Sequence, residues 1–166
     1  MDLHLAKTAI YTYENPLHIG AILAGTNKDK LELLSKYALP GGIAFQLQDD
    51  ILGLFGTPEE TGKPNFSDLR QGKMSLLILK ALEEASIDQK RVIAKAWGND
   101  KVSKNQAEAV RKIVVETGSL DYSRRIAIKW ARKAQLAIPE MVKRGWNKNS
   151  INYLDGIAQY MVERRV

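Results

Sequence analysis

Residues 43–55 read IAFQLQDDILGLF, and this stretch decides the fold of the chain. Apolar residues stand on nearly every face that a helix would have here, which is typical of a helix buried on all sides. One face holds, at helical offsets of three, four and seven, Gln46, Asp49, Asp50 and Gly53. The stretch therefore predicts a buried helix that carries two adjacent carboxylates.

The pair Asp49-Asp50 is the first candidate for chemistry. An arbitrary pair of aspartates is most often an exposed acidic turn, but the apolar flanks favour burial here. Two buried carboxylates require a cation. The chain has no cysteine and no histidine near the pair, and hard oxygen ligands of this kind suit Mg²⁺. Because Mg²⁺ on one or two carboxylates completes its coordination with water and substrate phosphate, the pair also predicts a phosphorylated ligand.

A phosphorylated ligand requires basic residues, and three lysines are candidates. Lys63 follows Asp49 by fourteen residues, in a loop. Lys73 begins the next predicted helix, and Lys7 stands beside Thr8 in the first one. Each lysine alone is typical of a solvated surface. Together with the aspartates they indicate a binding site for a phosphate group.

The spacing of apolar residues by three and four recurs along the chain and predicts helices almost throughout. The predicted helices lie near residues 2–12, 16–25, 28–55, 73–85, 88–97, 101–117, 120–144 and 149–163. No alternating pattern typical of a strand has useful length. With 166 residues, 45% of them apolar and 27% charged, the chain has the size and composition of one globular domain. We expect an all-α fold that spans residues 1–166 as a single helical domain.

Two segments interrupt this pattern. Pro40 is followed by two glycines inside the third predicted helix, where a proline removes a backbone donor and is expected to kink or open the helix. The segment from Phe55 to Gly72 holds glycines and prolines that prevent regular structure, and it is the longest predicted loop. A loop of this length in a compact domain is usually functional or disordered.

Composition excludes several classes of protein. The apolar runs are far shorter than the ~20 residues that cross a bilayer, so we expect no transmembrane segment. Without cysteine the chain has no disulfide, no thiolate metal site and no cysteine nucleophile. Residues 1–12 lack the pattern of a signal peptide, and we therefore expect a cytoplasmic protein.

The net charge of +6 is confined to the last part of the chain. Basic and acidic residues balance over residues 1–120, whereas residues 121–166 hold ten basic and four acidic residues. A solvated helix face is the first interpretation of this excess, and an anion site is the second. A nucleic-acid binder would rest on this segment alone, which holds no recognisable motif, so we expect no nucleic-acid partner.

Five motifs follow one another in a specific order and spacing: Lys7-Thr8, residues 42–52, Thr61-Gly62-Lys63-Pro64, Ser67-Asp68-Leu69 and Gly72-Lys73. As a set they resemble the back half of a trans-type isoprenyl (polyprenyl) diphosphate synthase. The resemblance covers residues 5–82 with specific motifs, and the remainder only as a helical pattern. It implies an all-helical fold with a cavity, where two aspartate-rich motifs bind Mg²⁺ and the diphosphate of an allylic substrate.

The resemblance also implies a reaction and a role for each site residue. The reaction is the head-to-tail condensation of isopentenyl diphosphate with an allylic diphosphate, and its product ranges from geranyl to longer polyprenyl diphosphates. Asp49 is implied to be a metal ligand, and Asp50 is implied to be either a second ligand or a residue that supports the first. Asp68 is implied to complete the residues around the metal. The residues implied to bind the diphosphate are Lys7, Thr8, Lys63 and Lys73. Gln46 is implied to lie near the reacting carbons, with Phe45 as a neighbouring wall.

The chain departs from that family in two respects. The fifth position of the second aspartate-rich motif is commonly aspartate and is Gly53 here, as in some bacterial members. No residue before Lys7 can supply the first aspartate-rich motif. The resemblance therefore implies the C-terminal portion of a longer polyprenyl synthetase domain, inactive alone. It implies as partner a second copy, in a homodimer, or a chain that carries the first motif.

A function of a different class stays open at this point. The chain could be a non-catalytic partner subunit, or a degenerate paralogue, that binds diphosphate weakly and modulates another synthase. The intact set of Asp49, Lys63 and Lys73 favours a synthase, because a degenerate copy has no need of it. Terpene cyclases share the chemistry, but the two Gly-Lys pairs of the loop fit chain-elongating enzymes better.

Overall fold

The computed structural model describes residues 7–57, 62 and 66–163. Within them lie a π-helical segment, Thr8–Glu14, and the helices α1 (Asn15–Leu23), α2 (Lys28–Phe55), α3 (Ser67–Arg70), α4 (Leu76–Glu84), α5 (Ile87–Ala96), α6 (Lys104–Glu116), α7 (Ser119–Gln135), α8 (Ile138–Lys143) and α9 (Lys148–Glu163). The described residues contain no β-strand, and the predicted all-α fold is confirmed. In that part of the chain, no helix has both the length and the apolar character that crossing a membrane requires.

Serine side chains fix the starts of α5 and α6. Ser86 Oγ accepts a hydrogen bond from Gln89 N–H, and the Gln89 side chain accepts one from Ser86 N–H. The same exchange joins Ser103 and Gln106. Each capping box satisfies two backbone N–H groups that a helix start leaves without a partner. The starts of these two helices are therefore fixed by residues that are close together in the sequence.

The first two helical elements are continuous, although the sequence predicted a break between them. Glu14 and Asn15 both have right-handed helical backbone angles, so the π-helical segment runs directly into α1. The segment lies close against α2, because a Cβ atom added to Gly42 would lie 2.6 Å from Ala9 Cα. Ala9 is buried at this contact.

Helix α2 continues without interruption over 28 residues. The sequence predicted a kink or an opening at Pro40, but the helical backbone extends on both sides of this residue. A proline inside a helix costs a hydrogen bond. Burial offsets that cost here, since Pro40 is buried and Tyr37, Ala38 and Ala44 belong to one core cluster.

The long helix predicted over residues 120–144 is two helices. α7 ends at Gln135, and α8 begins at Ile138 with Pro139 in its first turn. Pro139 has no N–H to donate, and its ring would meet the carbonyl group of Gln135 in a continuous helix. The apolar spacing continues across the break, which is why periodicity alone did not reveal it.

The chain divides into two compact units. The first unit comprises the described residues of 1–46 and 126–165, and its core includes the fully buried Tyr37 and Met141. The second unit comprises the described residues of 47–125, and its core includes Ile51, Leu77 and Val110. The boundary falls inside α2 and again inside α7.

Candidate metal and diphosphate site

Three aspartates of the second unit meet at one place, and we call them the aspartate group. Asp49 and Asp50 lie near the end of α2, and Asp68 lies in α3. One carboxylate oxygen of each lies within 4.8 Å of the other two. The side chain of Asp50 is 8% exposed, that of Asp68 15% and that of Asp49 34%. The group is therefore mostly buried, with one carboxylate partly open to solvent.

Core residues next to the aspartates in sequence hold both elements in place. Ile51 and Leu54 of α2 belong to the same buried cluster as Phe66 and Leu69, which flank Asp68. Their exposed fractions lie between 0% and 6%. Apolar burial therefore fixes the backbone that carries the carboxylates, at a gain of about 1.5–3 kcal/mol for each large apolar side chain.

Lys73 places its ammonium group in contact with the aspartate group. Its Nζ atom lies 2.7 Å from Asp50 Oδ1, 3.3 Å from Asp68 Oδ2 and 3.9 Å from Asp49 Oδ2. Burial lowers the pKa of Lys73, but the hydrogen bond and the charge of Asp50, together with Asp68, outweigh burial and raise this pKa above its ordinary value. Lys73 is therefore protonated at neutral pH and offsets part of the negative charge.

The turn after α3 sets the position of Lys73. Gly72 has a φ of 66°, a left-handed angle that favours glycine. The chain turns back there, so that Lys73 N–H donates to the Asp68 carbonyl at 3.0 Å. The side chain of Trp97 holds the same turn, because its Nε1–H donates to the Lys73 carbonyl at 3.4 Å. Lys73 and Asp68 are thus joined through both backbone and side chain.

Arg111 of α6 contacts the residues on either side of the segment 57–65. Its Nε donates to the Leu54 carbonyl at 2.5 Å, which satisfies a backbone acceptor in the last turn of α2. Its guanidinium group lies 4.6 Å from the ring centroid of Phe66, a cation–π contact. Phe66 is buried and has a φ of 63°, which is uncommon for a residue other than glycine. Arg111 therefore fixes the start of α3 relative to the end of α2.

Two further predicted site residues meet in the first unit. Thr8 Oγ1 donates to Gln46 Oε1 at 2.5 Å, and Gln46 is 6% exposed. Phe45 is 40% exposed, and its ring centroid lies 6.3 Å from that of Tyr13. Lys7 is exposed. Lys63 lies outside the described residues.

The structure thus brings the predicted residues together in two groups, one in each unit. The first group pairs Thr8 with Gln46, and the second joins Lys73 to the aspartate group. Sequence reasoning missed Arg111 and Trp97. Arg111 stands three residues after Glu108 and forms an ion pair with it, so in the sequence it has the pattern of a surface residue.

The ligands offered by the aspartate group suit a hard divalent cation. All of them are carboxylate oxygens, which Mg²⁺, Ca²⁺ and Mn²⁺ prefer. Carboxylates in a largely buried place are costly unless cations lie near them, and their oxygen atoms here are close enough together to share one ion. The group is therefore chemically fit to hold Mg²⁺.

Comparison with known proteins agrees with the family that the sequence motifs predict. The model of the polyprenyl synthetase family matches residues 1–114. The geranylgeranyl diphosphate synthase of Sulfolobus acidocaldarius is 40% identical over 134 residues, which cover 81% of this chain and 40% of that protein. The (2E,6E)-farnesyl diphosphate synthase of Mycobacterium tuberculosis is 35% identical over 153 residues, which cover 89% of this chain and 41% of that protein.

Solved structures of synthases in this family are also similar to this chain. The geranylgeranyl pyrophosphate synthase of Corynebacterium glutamicum, complexed with isoprenyl diphosphate and magnesium, matches 96% of this chain and 44% of its own, with a TM-score of 0.86 and 30% identity. The polyprenyl synthase of Caulobacter crescentus, complexed with calcium and isoprenyl diphosphate, matches 89% of this chain and 44% of its own, with a TM-score of 0.75 and 30% identity.

A helical fold with an aspartate-rich helix defines the class of isoprenoid synthases. Within that class, the chain belongs to the polyprenyl synthetase family. It spans less than half the length of these curated relatives. The family predicted from the motifs is confirmed.

Proposed function

We propose that the chain is the metal- and diphosphate-binding portion of a prenyltransferase, which condenses isopentenyl diphosphate with an allylic diphosphate. The observation that carries this proposal is the aspartate group, where two elements bring three carboxylates and a lysine to one place. The likeness to a synthase whose structure holds isoprenyl diphosphate and magnesium supports it.

Each predicted site residue has a role in this proposal. The residues that would hold Mg²⁺ are Asp49, Asp50 and Asp68. When bound, Mg²⁺ supplies a Lewis acid that stabilises the departing diphosphate. The residues that would bind diphosphate oxygens are Lys7, Thr8, Lys63 and Lys73. Gln46 and Phe45 would border the reacting carbons, and we include Lys7, Gln46 and Lys63 among the residues that take part in catalysis.

The proposed reaction breaks one bond and forms another. The bond between the allylic carbon and the diphosphate oxygen breaks, and the diphosphate leaves with the electron pair. The double bond of isopentenyl diphosphate then attacks the allylic cation, a carbon–carbon bond forms, and a proton is lost. The ammonium groups of the lysines counter the charge that develops on the diphosphate. An apolar wall keeps out water, which would otherwise capture the cation.

Binding of inorganic diphosphate tests this proposal. We expect titration calorimetry to detect binding of diphosphate in the presence of Mg²⁺, and Asp49→Asn to weaken it by about tenfold or more, the scale of a lost charge-assisted contact. Asp100→Asn is the matched control, since Asp100 is exposed outside the aspartate group. The absence of Mg²⁺-dependent binding, or an equal effect of the two variants, would contradict the proposal.

The context of the whole protein is also proposed. We infer a C-terminal portion of a polyprenyl synthetase domain that works in the cytoplasm as a homodimer, or with a chain that carries the first aspartate-rich motif. A non-catalytic partner subunit is the second candidate, because the chain covers only 40% of the Sulfolobus relative. Addition of the chain to an intact synthase separates the two: a modulator changes the synthase's rate, and a portion of a synthase leaves it unchanged.

A further inference from the structure

The side chain of Tyr13 lies along one face of α2. Three residues spaced four apart form this face: Tyr37, Gly41 and Phe45. The ring centroid of Tyr13 lies 6.3 Å from that of Tyr37 and 6.3 Å from that of Phe45. A Cβ atom added to Gly41 would lie 3.0 Å from Tyr13 Cε1, so the ring packs directly on the helix backbone between the two other rings. All four residues belong to the first unit.

A hydrogen bond ties the Tyr13 hydroxyl to the core of this unit. Tyr37 is fully buried, and its hydroxyl donates to the Leu154 carbonyl at 2.6 Å. A tyrosine hydroxyl has one proton to donate, so toward Tyr13 the Tyr37 oxygen can only accept. The Tyr13 hydroxyl therefore donates to Tyr37 across 3.4 Å. This contact anchors Tyr13 to residues that have no role in the proposed reaction.

Phe45 differs from its neighbours in α2, because it is 40% exposed whereas Ala44 and Gln46 are buried. An exposed side chain exchanges rotamers rapidly unless a neighbour restricts it. Tyr13 supplies such a restriction, since the two rings are tilted by 40° at a separation where aromatic pairs attract each other. The orientation of the Phe45 ring therefore depends on Tyr13.

We infer that Tyr13 is a positioning residue, which holds the ring of Phe45 as a wall for the apolar chain of an allylic substrate. The inference rests on the proposed function, in which Phe45 borders the reacting carbons. Tyr13 would act through Phe45 and would not bind the diphosphate. Its loss should therefore weaken the binding of a prenyl chain and leave the binding of the diphosphate group unchanged.

Nuclear magnetic resonance of the phenylalanines tests the positioning role without any ligand. The chain has three phenylalanines, and the other two, Phe55 and Phe66, lie in the second unit and report on its fold. We expect the three-bond couplings across χ1 to show one rotamer of Phe45 in the parent and in Tyr13→Phe, but an average of rotamers in Tyr13→Ala. If Tyr13→Ala does not fold, Tyr13→Leu, which retains apolar packing without a ring, replaces it with the same expectation. A single Phe45 rotamer in the variant without a ring would overturn the inference.

Titration calorimetry with two probes, geranyl diphosphate and inorganic diphosphate, each with Mg²⁺, tests the effect on the substrate. We expect the parent to bind geranyl diphosphate more tightly than inorganic diphosphate. Tyr13→Ala should bind geranyl diphosphate about two- to tenfold more weakly than the parent, the scale of a lost aromatic contact, and inorganic diphosphate equally well. Tyr13→Phe should keep most of the parent's affinity. Tyr160→Ala is the matched control, since it removes a ring of the first unit that is 60% exposed, and it should bind both probes like the parent.

The outcomes separate this inference from the proposed function. Equal geranyl diphosphate affinity of Tyr13→Ala and the parent would overturn the inference, and so would an equal loss for both probes, because that pattern indicates a general loss of structure. A parent that binds inorganic diphosphate but gains nothing from the geranyl chain would overturn it as well. If the parent binds neither probe with Mg²⁺, the proposed function fails, whereas the couplings of Phe45 still decide whether Tyr13 holds its ring.

Discussion

Lys73 places a positive charge beside three carboxylates whose oxygen atoms lie within 4.8 Å of one another. Removing it would leave Asp50, whose side chain is 8% exposed, next to like charges. We expect Lys73→Met to lower the free energy of unfolding by about 3 kcal/mol without divalent cations, as measured by urea denaturation. Mg²⁺ should stabilise this variant more than the parent, because a bound cation replaces the lost charge.

The control for this prediction is Lys80→Met. Lys80 lies 2.9 Å from Glu83 and 2.7 Å from Glu84, and solvent screens these pairs at the surface. We expect a clearly smaller loss of stability than for Lys73→Met, and no added response to Mg²⁺. Equal losses in the two variants would show that Lys73 is an ordinary surface lysine.

Tyr37 makes the first unit sensitive to alkali. It is fully buried, and its hydroxyl donates to the Leu154 carbonyl at 2.6 Å. Burial raises the pKa of Tyr37 far above its ordinary value, with further contributions from Tyr13. Because the folded chain resists ionisation that the unfolded chain permits, this residue's contribution to stability is complete below about pH 10 and is lost as the pH rises further.

We therefore expect unfolding free energies to fall above about pH 10, by up to roughly 1.4 kcal/mol per pH unit from this residue. Tyr37→Phe should be less stable at pH 7 by about 1 kcal/mol, since it loses a hydrogen bond, yet it should decline less between pH 10 and pH 11. Tyr11→Phe alters a ring that is 72% exposed and should decline like the parent. Parallel curves for Tyr37→Phe and the parent would contradict the prediction.

The residue types of the aspartate group could be predicted from the sequence, because two carboxylates in a nearly apolar helix carry a cost that only a cation offsets. The contacts of Lys73 could not be predicted from the sequence. They depend on the turn at Gly72 and on Trp97, which lies 24 residues away in sequence. The contact between Gly53 and Asp68 could not be predicted either, because it depends on how the segment after α2 folds back against that helix.

At the level of helices, Gly42 sets the distance between α2 and the π-helical segment. A Cβ atom there would lie 2.6 Å from Ala9 Cα and 3.0 Å from Tyr13 Cβ. A backbone atom cannot rotate aside, so Gly42→Ala must push the two elements apart and strain the bond between Thr8 and Gln46. We expect a loss of about 1–3 kcal/mol in urea denaturation, the usual cost of overpacking.

Gly20→Ala is the matched control for Gly42→Ala. Gly20 lies inside α1, and no atom stands within 4 Å of a Cβ atom added there. Alanine should therefore stabilise the helix by about 0.5–1 kcal/mol through its greater helical propensity. A Gly42→Ala chain as stable as Gly20→Ala would mean that the two elements separate without cost.

Most helices could be predicted because their apolar spacing is local information. The exceptions arise from contacts or from single residues that spacing ignores. Pro139 ends α7 although the apolar pattern continues, and burial of Pro40 keeps α2 whole although proline favours a break. The helical turn α3 stands in a segment predicted as loop, where Arg111 and buried Phe66 hold its start.

At the scale of the whole molecule, the chain corresponds to 44% of a synthase that it matches with a TM-score of 0.86. The likeness covers 96% of this chain, so nearly all of it follows the family fold. More than half of that synthase has no counterpart in these 166 residues. The aspartate group lies within the part of that synthase that these 166 residues match.

The partial coverage of its relatives leads us to predict that the chain binds diphosphate but does not catalyse the condensation at a useful rate. On our proposal the described residues hold one of two aspartate-rich motifs, and the loss of even one preorganised charge-stabilising group costs about 10²–10³-fold in rate. We therefore expect the 166-residue chain to incorporate labelled isopentenyl diphosphate at least about 100-fold more slowly than the Sulfolobus acidocaldarius synthase, while calorimetry still detects Mg²⁺-dependent binding of diphosphate. Turnover comparable to that of the intact enzyme would contradict the prediction, because the aspartate group alone would then suffice to stabilise the departing diphosphate.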